Sequence, residues 1–153
     1  MTISLVERII SGGQTGVDRA ALDVAMALKI PPGGWCPKGR IAEDGAIPKC
    51  YHMRETPTDN YAQRTEWNVR DSDGTLILAK KPLTGGTLLT LKFAQKLHKP
   101  YLIFDLFKTQ PIESIITWIK ENHIKTLNLA GPRASSNMEI YNLAYVTLQK
   151  LLG

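Results

Sequence analysis

The chain has 153 residues, 43% apolar and 22% charged, a composition that excludes wholesale disorder and indicates one globular domain over residues 1–153. Lysine and arginine number 19 against 14 acidic residues, and this net charge of +5 is scattered rather than gathered in a basic run. Aromatic residues make up 7% and do not alternate with basic ones, so we expect a small anionic ligand and no nucleic acid.

Cysteine and histidine spacing predicts no metal site. Cys36 and Cys50 do not form a metal-binding pair, and the three histidines lie far apart. Two cysteines without a disulfide framework fit a cytoplasmic protein. Glu7 and Arg8 lie where a secretory signal would be apolar, and no apolar run approaches about 18 residues, so we expect no membrane span.

Five short apolar runs alternate with helical patterns along the chain. The runs predict strands at 5–10, 34–36, 75–79, 101–105 and 126–130. Helices are predicted at 17–29, from Thr58 or Asp59 to about 70, from Gly85, from Pro111, and at 138–152. This alternation predicts an α/β fold, a doubly wound five-stranded parallel sheet with helices on both faces and strand order 2-1-3-4-5.

Glycine-rich segments follow three of the predicted strands, at the sheet edge where ligands bind in such folds. Glycine lets the backbone approach an anion closely, and a helix N-terminus offers free N–H groups. Each segment alone is explained equally well by a turn of the chain. With the order 2-1-3-4-5, the segments after the first and third strands become neighbours, and we predict that together they form a phosphate cradle. Its residues are Gly12, Gly13, Gln14, Thr15 and Gly16 in the first segment and Gly85, Gly86 and Thr87 in the second.

Neither loop matches the phosphate-binding motif of common nucleotide enzymes. A Gly-Lys-Ser/Thr sequence is absent, and so is G-x-G-x-x-G followed by a ribose-binding acid. Ordinary ATP hydrolysis and NAD-dependent redox chemistry are therefore poor explanations of the chain.

Basic side chains near these loops are candidates to neutralise a phosphate. The loop at 37–57 is longer than most structureless connections, which indicates a functional loop. A solvated loop explains Lys38 and Arg40 equally well, and plain helix capping explains Gln14, Thr15 and Thr87. The candidates are Arg19, Lys38, Arg40, Arg64 and Arg133.

Trp35 and Cys36 end the predicted second strand and would shape the pocket. For Cys36, a buried structural thiol is the favoured explanation over a reactive or ligating one. Asp18 is in the first turn of the first helix and lies near the site, where complementing the helix dipole is the alternative explanation for it. Asp71 and Asp73 precede a strand, so we interpret them as turn residues at the opposite end of the sheet.

The chain resembles the molybdenum cofactor carrier family over nearly its whole length. Two long motifs carry most of the resemblance, GGQTGVDRAALD at 12–23 and GGWCPKGR at 33–40. Shorter matches lie at 64–65, 71–75, 85–87 and 130–135. The family is Rossmann-like and is related to the Lonely Guy (LOG) phosphoribohydrolases and to lysine-decarboxylase-like proteins.

The resemblance implies a homo-oligomer, a dimer or tetramer, that binds molybdenum cofactor, a phosphorylated pterin, for delivery to a molybdoenzyme. It also leaves two alternatives, a LOG-like nucleoside monophosphate phosphoribohydrolase and a nucleotide-sensing module. The LOG enzymes carry a catalytic glutamate shortly after their Gly-Gly-x-Gly-Thr motif, whereas 84–92 of this chain contain no acid. Cleavage of an N-glycosidic bond needs a positioned carboxylate. Glu43, Asp44 or Asp105 would have to supply it, so we favour binding and predict no catalytic residue.

Overall fold

The computed structural model describes residues 4–153. Its strands are β1 (Arg8–Ile10), β2 (Pro32–Gly33), β3 (Trp35–Cys36), β4 (Ile41–Ala42), β5 (Gly45–Ala46), β6 (Arg54–Glu55), β7 (Gly74–Ala79), β8 (Tyr101–Asp105) and β9 (Thr126–Ala130). Its α-helices are α1 (Val17–Ala27), α2 (Tyr61–Arg70), α3 (Gly85–Lys96), α4 (Glu113–Glu121) and α5 (Ile140–Leu152). A short 3-10 turn at Ala134–Ser136 precedes α5.

The main sheet has five strands in the order β2-β1-β9-β7-β8, and every neighbouring pair is parallel. This confirms the predicted α/β class and the five-stranded parallel sheet. The predicted strand order is wrong, because β9, the last strand in the sequence, lies between β1 and β7. Leu127 and Leu129 of β9 are almost completely buried, as expected for a strand with neighbours on both sides.

Helices pack on the sheet in two groups. Helix α1 packs against α5, and α2 packs against α3. Leu76 and Leu78 of β7 join the residues of α1, α4 and α5 in the main core, which leaves the alternate β7 residue Ile77 for the face that carries α2 and α3. Within residues 4–153, no helix has both the length and the apolar character to cross a membrane.

The second strand of the main sheet differs from its prediction. Pro32 and Gly33 pair with β1, whereas Trp35 and Cys36 pair with β6 in a separate two-stranded sheet. Gly34 explains the departure, because its φ of 122° is open mainly to glycine and a Cβ there would meet the Ser11 carbonyl oxygen at 2.2 Å. The chain therefore turns away from the main sheet before Trp35.

The loop at 37–57 is ordered by contacts of its own. Strands β4 and β5 form a short antiparallel hairpin, and Cys36, Ala42 and Ile47 make a small second core. The following helix begins later than predicted, since Asn60 rather than Thr58 or Asp59 is its N-cap. The Asn60 side chain accepts a hydrogen bond from the Ala62 amide at 2.9 Å.

Candidate functional site

A cavity of about 440 Å³ lies beyond the carboxyl ends of β7 and β9. Its floor includes Ala79 and Ala130, the last residues of these two strands, and Gly12 borders it on the β1 side. This size falls in the range of small-molecule sites, and the position is the one at which open α/β sheets bind ligands.

The N-terminus of α3 forms one wall of the cavity. Gly85, Gly86 and Thr87 line it, and the N-cap residue Thr84 makes no side-chain cap hydrogen bond. A Cβ added at Gly86 would meet no atom within 4 Å, so the backbone here is open. Unsatisfied N–H groups and the positive end of the helix dipole make this wall suitable for an anion.

The segment between β9 and α5 forms the middle of the cavity. Gly131, Pro132 and Arg133 line it together with Ser136 and Asn137. The Arg133 guanidinium lies 4.0 Å from a carboxylate oxygen of Glu43 and 5.7 Å from the centre of the Tyr61 ring. These contacts hold a partly exposed cation beside the cavity.

Helix α2 supplies a third wall through Arg64, Thr65 and Asn68. The Arg64 side chain is largely buried, and its Nη1 donates a hydrogen bond to the Gly12 carbonyl at 2.8 Å. The same atom lies 3.9 Å from Asp18 Oδ2, and the guanidinium packs 5.2 Å from the centre of the Tyr61 ring. Arg64 therefore fastens the β1–α1 loop and faces a buried acid.

Asp18 is that buried acid, and it also lines the cavity. Its Oδ2 accepts a hydrogen bond from the backbone amide of Gln14 at 3.2 Å. Burial raises the pKa of Asp18 to about 6 from its ordinary value of 3.8, although the nearby Arg64 charge acts in the opposite direction. A perturbed carboxyl group in a cavity wall is a mark of a functional site.

Two donor atoms of the cavity walls lack a partner. Gln14 Nε2 and Arg64 Nε are buried and make no hydrogen bond to any residue from 4 to 153. The side-chain oxygen Oε1 of Gln14, in contrast, accepts hydrogen bonds from the backbone amides of Thr15 and Glu43. An unpaired buried donor is destabilising by about 1–3 kcal/mol, so these walls favour a ligand rich in hydrogen-bond acceptors.

Seven of the candidate residues from the sequence are brought together around the cavity: Gly12, Gln14, Arg64, Gly85, Gly86, Thr87 and Arg133. Eight others lie outside its walls: Gly13, Thr15, Gly16, Arg19, Trp35, Cys36, Lys38 and Arg40. The two glycine loops on β1 and β7 are not neighbours, because the β9–α5 segment separates them. They nevertheless border one cavity from opposite sides.

Two of the excluded arginines bind the protein itself. Arg19 donates to the Gly13 carbonyl and makes a two-point ion pair with Asp44 at 2.9 and 3.0 Å. Arg40 donates to three carbonyl oxygens of its own loop, those of Ile47, Pro48 and Tyr51. Both charges are thus committed to holding the loop at 37–57.

Four other candidates that lie outside the cavity contact the protein or the solvent instead. Thr15 binds Glu43, and its Oγ1 accepts the Ala134 amide, which links the β1–α1 loop to the segment after β9. Cys36 is fully buried, and burial raises the pKa of its thiol. Trp35 borders a separate cleft of about 60 Å³ with Arg54 and Asp71. Lys38 is exposed.

Several cavity residues have no counterpart among the sequence candidates. The sequence places Asp18 near the site without naming it a binding residue, and Lys80 follows directly on a predicted strand without any motif. The position of Lys80 directly after a predicted strand was the one sequence signal that could have identified it as a cavity residue. Neutral polar side chains complete the lining, namely Thr65, Asn68, Thr90, Asn128, Ser136 and Asn137.

The carboxylates considered for catalysis lie elsewhere. Glu43, Asp44 and Asp105 do not line the cavity. Asp105 accepts hydrogen bonds from the Phe107 and Lys81 amides, which gives it a structural role at the end of β8. Among residues 4–153, no group of three or more histidine, cysteine or acidic side chains is arranged to hold a metal ion.

Comparison with known proteins gives a family and a similar solved structure. The model of a family described as "Circularly permutated YpsA SLOG family" matches residues 9–152. A solved structure from Syntrophus aciditrophicus SB, named "Putative molybdenum carrier protein", is 48% identical to this chain. The match covers 98% of this chain and 97% of that one, with a TM-score of 0.94. No curated protein matches.

The strand order agrees with a circular permutation. A common doubly wound order is 3-2-1-4-5. Moving the first strand of such a sheet to the end of the chain renumbers the order as 2-1-5-3-4, which is the order of the five main strands here. The β9–α5 unit then stands where the first strand–helix unit stands in the unpermuted sheet, and the turn of that unit holds phosphate in dinucleotide-binding folds.

Proposed function

Because this chain belongs to the circularly permuted YpsA SLOG family, we propose that it binds molybdenum cofactor, or a similar phosphorylated pterin, in the cavity beyond β7 and β9 and acts as a carrier. The similarity to a protein named as a molybdenum carrier supports the nature of the cargo. Delivery to a molybdoenzyme, homo-oligomerisation as a dimer or tetramer and a cytoplasmic location are further parts of the same proposal.

The observation that carries the proposal is the α3 N-terminus opening into a cavity of ligand size. Thr84 does not cap it, and Gly86 leaves its backbone open. Lys80 and Arg133 add positive charge to the same cavity. The phosphate of the cargo would lie at this helix start, and the pterin would extend towards the β1 side.

Seven of the sequence candidates remain in the proposed binding site: Gly12, Gln14, Arg64, Gly85, Gly86, Thr87 and Arg133. The unpaired donors Gln14 Nε2 and Arg64 Nε fit the oxygen-rich and nitrogen-rich chemistry of a phosphorylated pterin. The cradle is therefore proposed at α3 and the β9–α5 segment rather than at the whole Gly12–Gly16 loop.

Gly86→Ala tests this site with little disturbance of the fold. A Cβ at this helical position meets no atom within 4 Å, and it tilts towards the N-terminus, where the anion would approach. Ultrafiltration with molybdenum cofactor released from a molybdoenzyme, followed by fluorescence of the oxidised pterin, measures binding. We expect at least tenfold weaker binding and an unchanged or raised melting temperature, since alanine favours a helix more than glycine does.

The matched control is Lys92→Ala, which changes an exposed residue on the same helix outside the cavity. It should bind the cofactor as the wild type does. Absence of cofactor binding by the wild-type protein would contradict the carrier proposal, and equal binding by the Gly86→Ala variant would contradict the position of the phosphate.

A LOG-like hydrolase is a second candidate, and Asp18 is the observation that favours it. This carboxyl group lies in the cavity, whereas the acids first considered for the role do not. Incubation with AMP or GMP followed by chromatography tests the alternative. Release of free base would support hydrolysis, and intact nucleotide with retained binding would support the carrier.

A further inference from the structure

The Asp18 carboxylate has hydrogen-bonding capacity that the protein does not use. The Gln14 backbone amide donates to Oδ2 at 3.2 Å, and the Gly12 backbone amide is a second donor to this carboxylate. Arg64 Nη1 at 3.9 Å is beyond hydrogen-bond distance. An ionised carboxylate offers about four acceptor positions, and a buried charge is costly unless it is paired. This wall therefore favours a ligand that donates N–H groups.

The position of Asp18 fits one end of an elongated ligand. Asp18 lies with Gly12 and Gln14 on the β1 side of the cavity, and the α3 N-terminus follows β7. Strand β9 separates β1 from β7, so the two walls are about two strand spacings apart, roughly 10 Å. A phosphate at α3 thus leaves room for a planar heterocycle that reaches Asp18.

Resting on the proposed function, we propose that Asp18 selects the heterocycle by accepting hydrogen bonds from an amino group and an adjacent ring N–H. Pterins and guanine share this edge, whereas hypoxanthine lacks the amino group. The carboxylate can accept both N–H groups side by side, as it does with the two N–H groups of a guanidinium.

The charges around Asp18 and its burial set the pH range in which the carboxylate is ionised and can bind the heterocycle. Arg64 faces it from α2 and Arg19 acts on it from α1, while Lys80 and Arg133 line the same cavity. Burial raises the pKa of Asp18 to about 6 against the effect of these arginines. The carboxylate is therefore ionised at pH 7.5 and protonated at pH 5, and the protonated form accepts two N–H donors poorly.

Calorimetric titration with GMP and with IMP tests the inference, because the two nucleotides differ only in the 2-amino group. At pH 7.5 we expect GMP to bind about tenfold or more tightly than IMP, the usual effect of a hydrogen bond to a charged group. The ratio should approach one at pH 5. Because both nucleotides carry the same phosphate, its own titration cancels in the ratio.

Asp18→Asn should bind GMP and IMP equally at both pH values. Pterin and lumazine, titrated in the presence of inorganic phosphate, form a second pair that differs by an amino group against an oxo group. A preference for pterin without one for GMP assigns the site to pterins, and the reverse assigns it to guanine nucleotides. The wild-type titrations need no variant, so they remain decisive even if Asp18→Asn does not fold.

Equal affinity for GMP and IMP together with equal affinity for pterin and lumazine at pH 7.5 would overturn the inference. A preference that persists at pH 5 or in Asp18→Asn would overturn it too. These results differ from a failure of the proposed function, in which the wild-type protein does not bind molybdenum cofactor. Binding of both nucleotides without preference leaves the phosphate site intact and removes only the role of Asp18.

Discussion

Asp18→Asn is predicted to stabilise the protein at neutral pH. The folded protein holds Asp18 with a pKa of about 6, above the ordinary value of 3.8 that we take for the unfolded chain. Between these values the folded state binds more protons, so the contribution of Asp18 to stability falls as the pH rises from about 4 to 6. At pH 7 the pKa difference corresponds to roughly 3 kcal/mol of destabilisation by the charged form.

Asparagine keeps the shape of the neutral acid and can still accept the Gln14 amide. We therefore expect the variant to gain up to about 3 kcal/mol over the wild type at pH 7, and close to nothing at pH 4. Urea denaturation of both proteins at several pH values measures this difference. Other acids with shifted pKa values, such as Asp44 and Asp105, are present in both proteins and cancel. A difference that stays constant from pH 4 to pH 8, or a variant that is less stable at pH 7, would refute the reasoning.

Three further substitutions test other parts of the account. Arg64→Gln removes the cation that faces Asp18, so carboxyl NMR should record a still higher pKa for Asp18, and urea denaturation a loss of about 3 kcal/mol at pH 7. Arg19→Ala breaks the ion pair with Asp44 and should lower the melting temperature by several degrees, while nucleotide affinity changes less than threefold. Lys38→Ala should change neither stability nor affinity, because this side chain is exposed and outside the cavity; tenfold weaker binding would restore Lys38 to the site.

Much of the fold followed from local sequence patterns. The strands at 101–105 and 126–130 were predicted with their observed limits, since short apolar runs bounded by turn residues are a local property. The helix start at Gly85 was predicted because two adjacent glycines interrupt the pattern between a strand and a helix. Alternation of strands and helices was sufficient to predict the parallel sheet.

The strand order could not be obtained in the same way. Strand β9 pairs with β1 and β7, which are distant in sequence, and alternation alone does not distinguish this order from 2-1-3-4-5. The buried pattern of 126–130 is compatible with any central position in the sheet. A circular permutation preserves the elements and changes only where the chain begins, so local patterns carry little trace of it.

Only part of the candidate site could be predicted, because local patterns do not reveal tertiary contacts. Glycines that open a helix identify a possible anion site locally, and α3 does line the cavity. The destination of a long basic side chain depends on tertiary contacts, as Arg19 and Arg40 illustrate by binding the loop at 37–57. Asp18, in contrast, lines the cavity although it was not among the predicted binding residues. Its burial and its place in the cavity wall also depend on tertiary contacts, namely the packing of α2 against the β1–α1 loop.

The central claim is that a phosphorylated ligand occupies the cavity with its phosphate at the start of α3. Nitrogen–proton NMR of the labelled protein, titrated first with inorganic phosphate and then with GMP, tests it residue by residue. We expect the amide signals of Gly85, Gly86 and Gly131 to shift in both titrations and those of Gln14 and Asp18 to shift with GMP. Shifts confined to the cleft of Trp35, or the absence of any saturable shift, would contradict it.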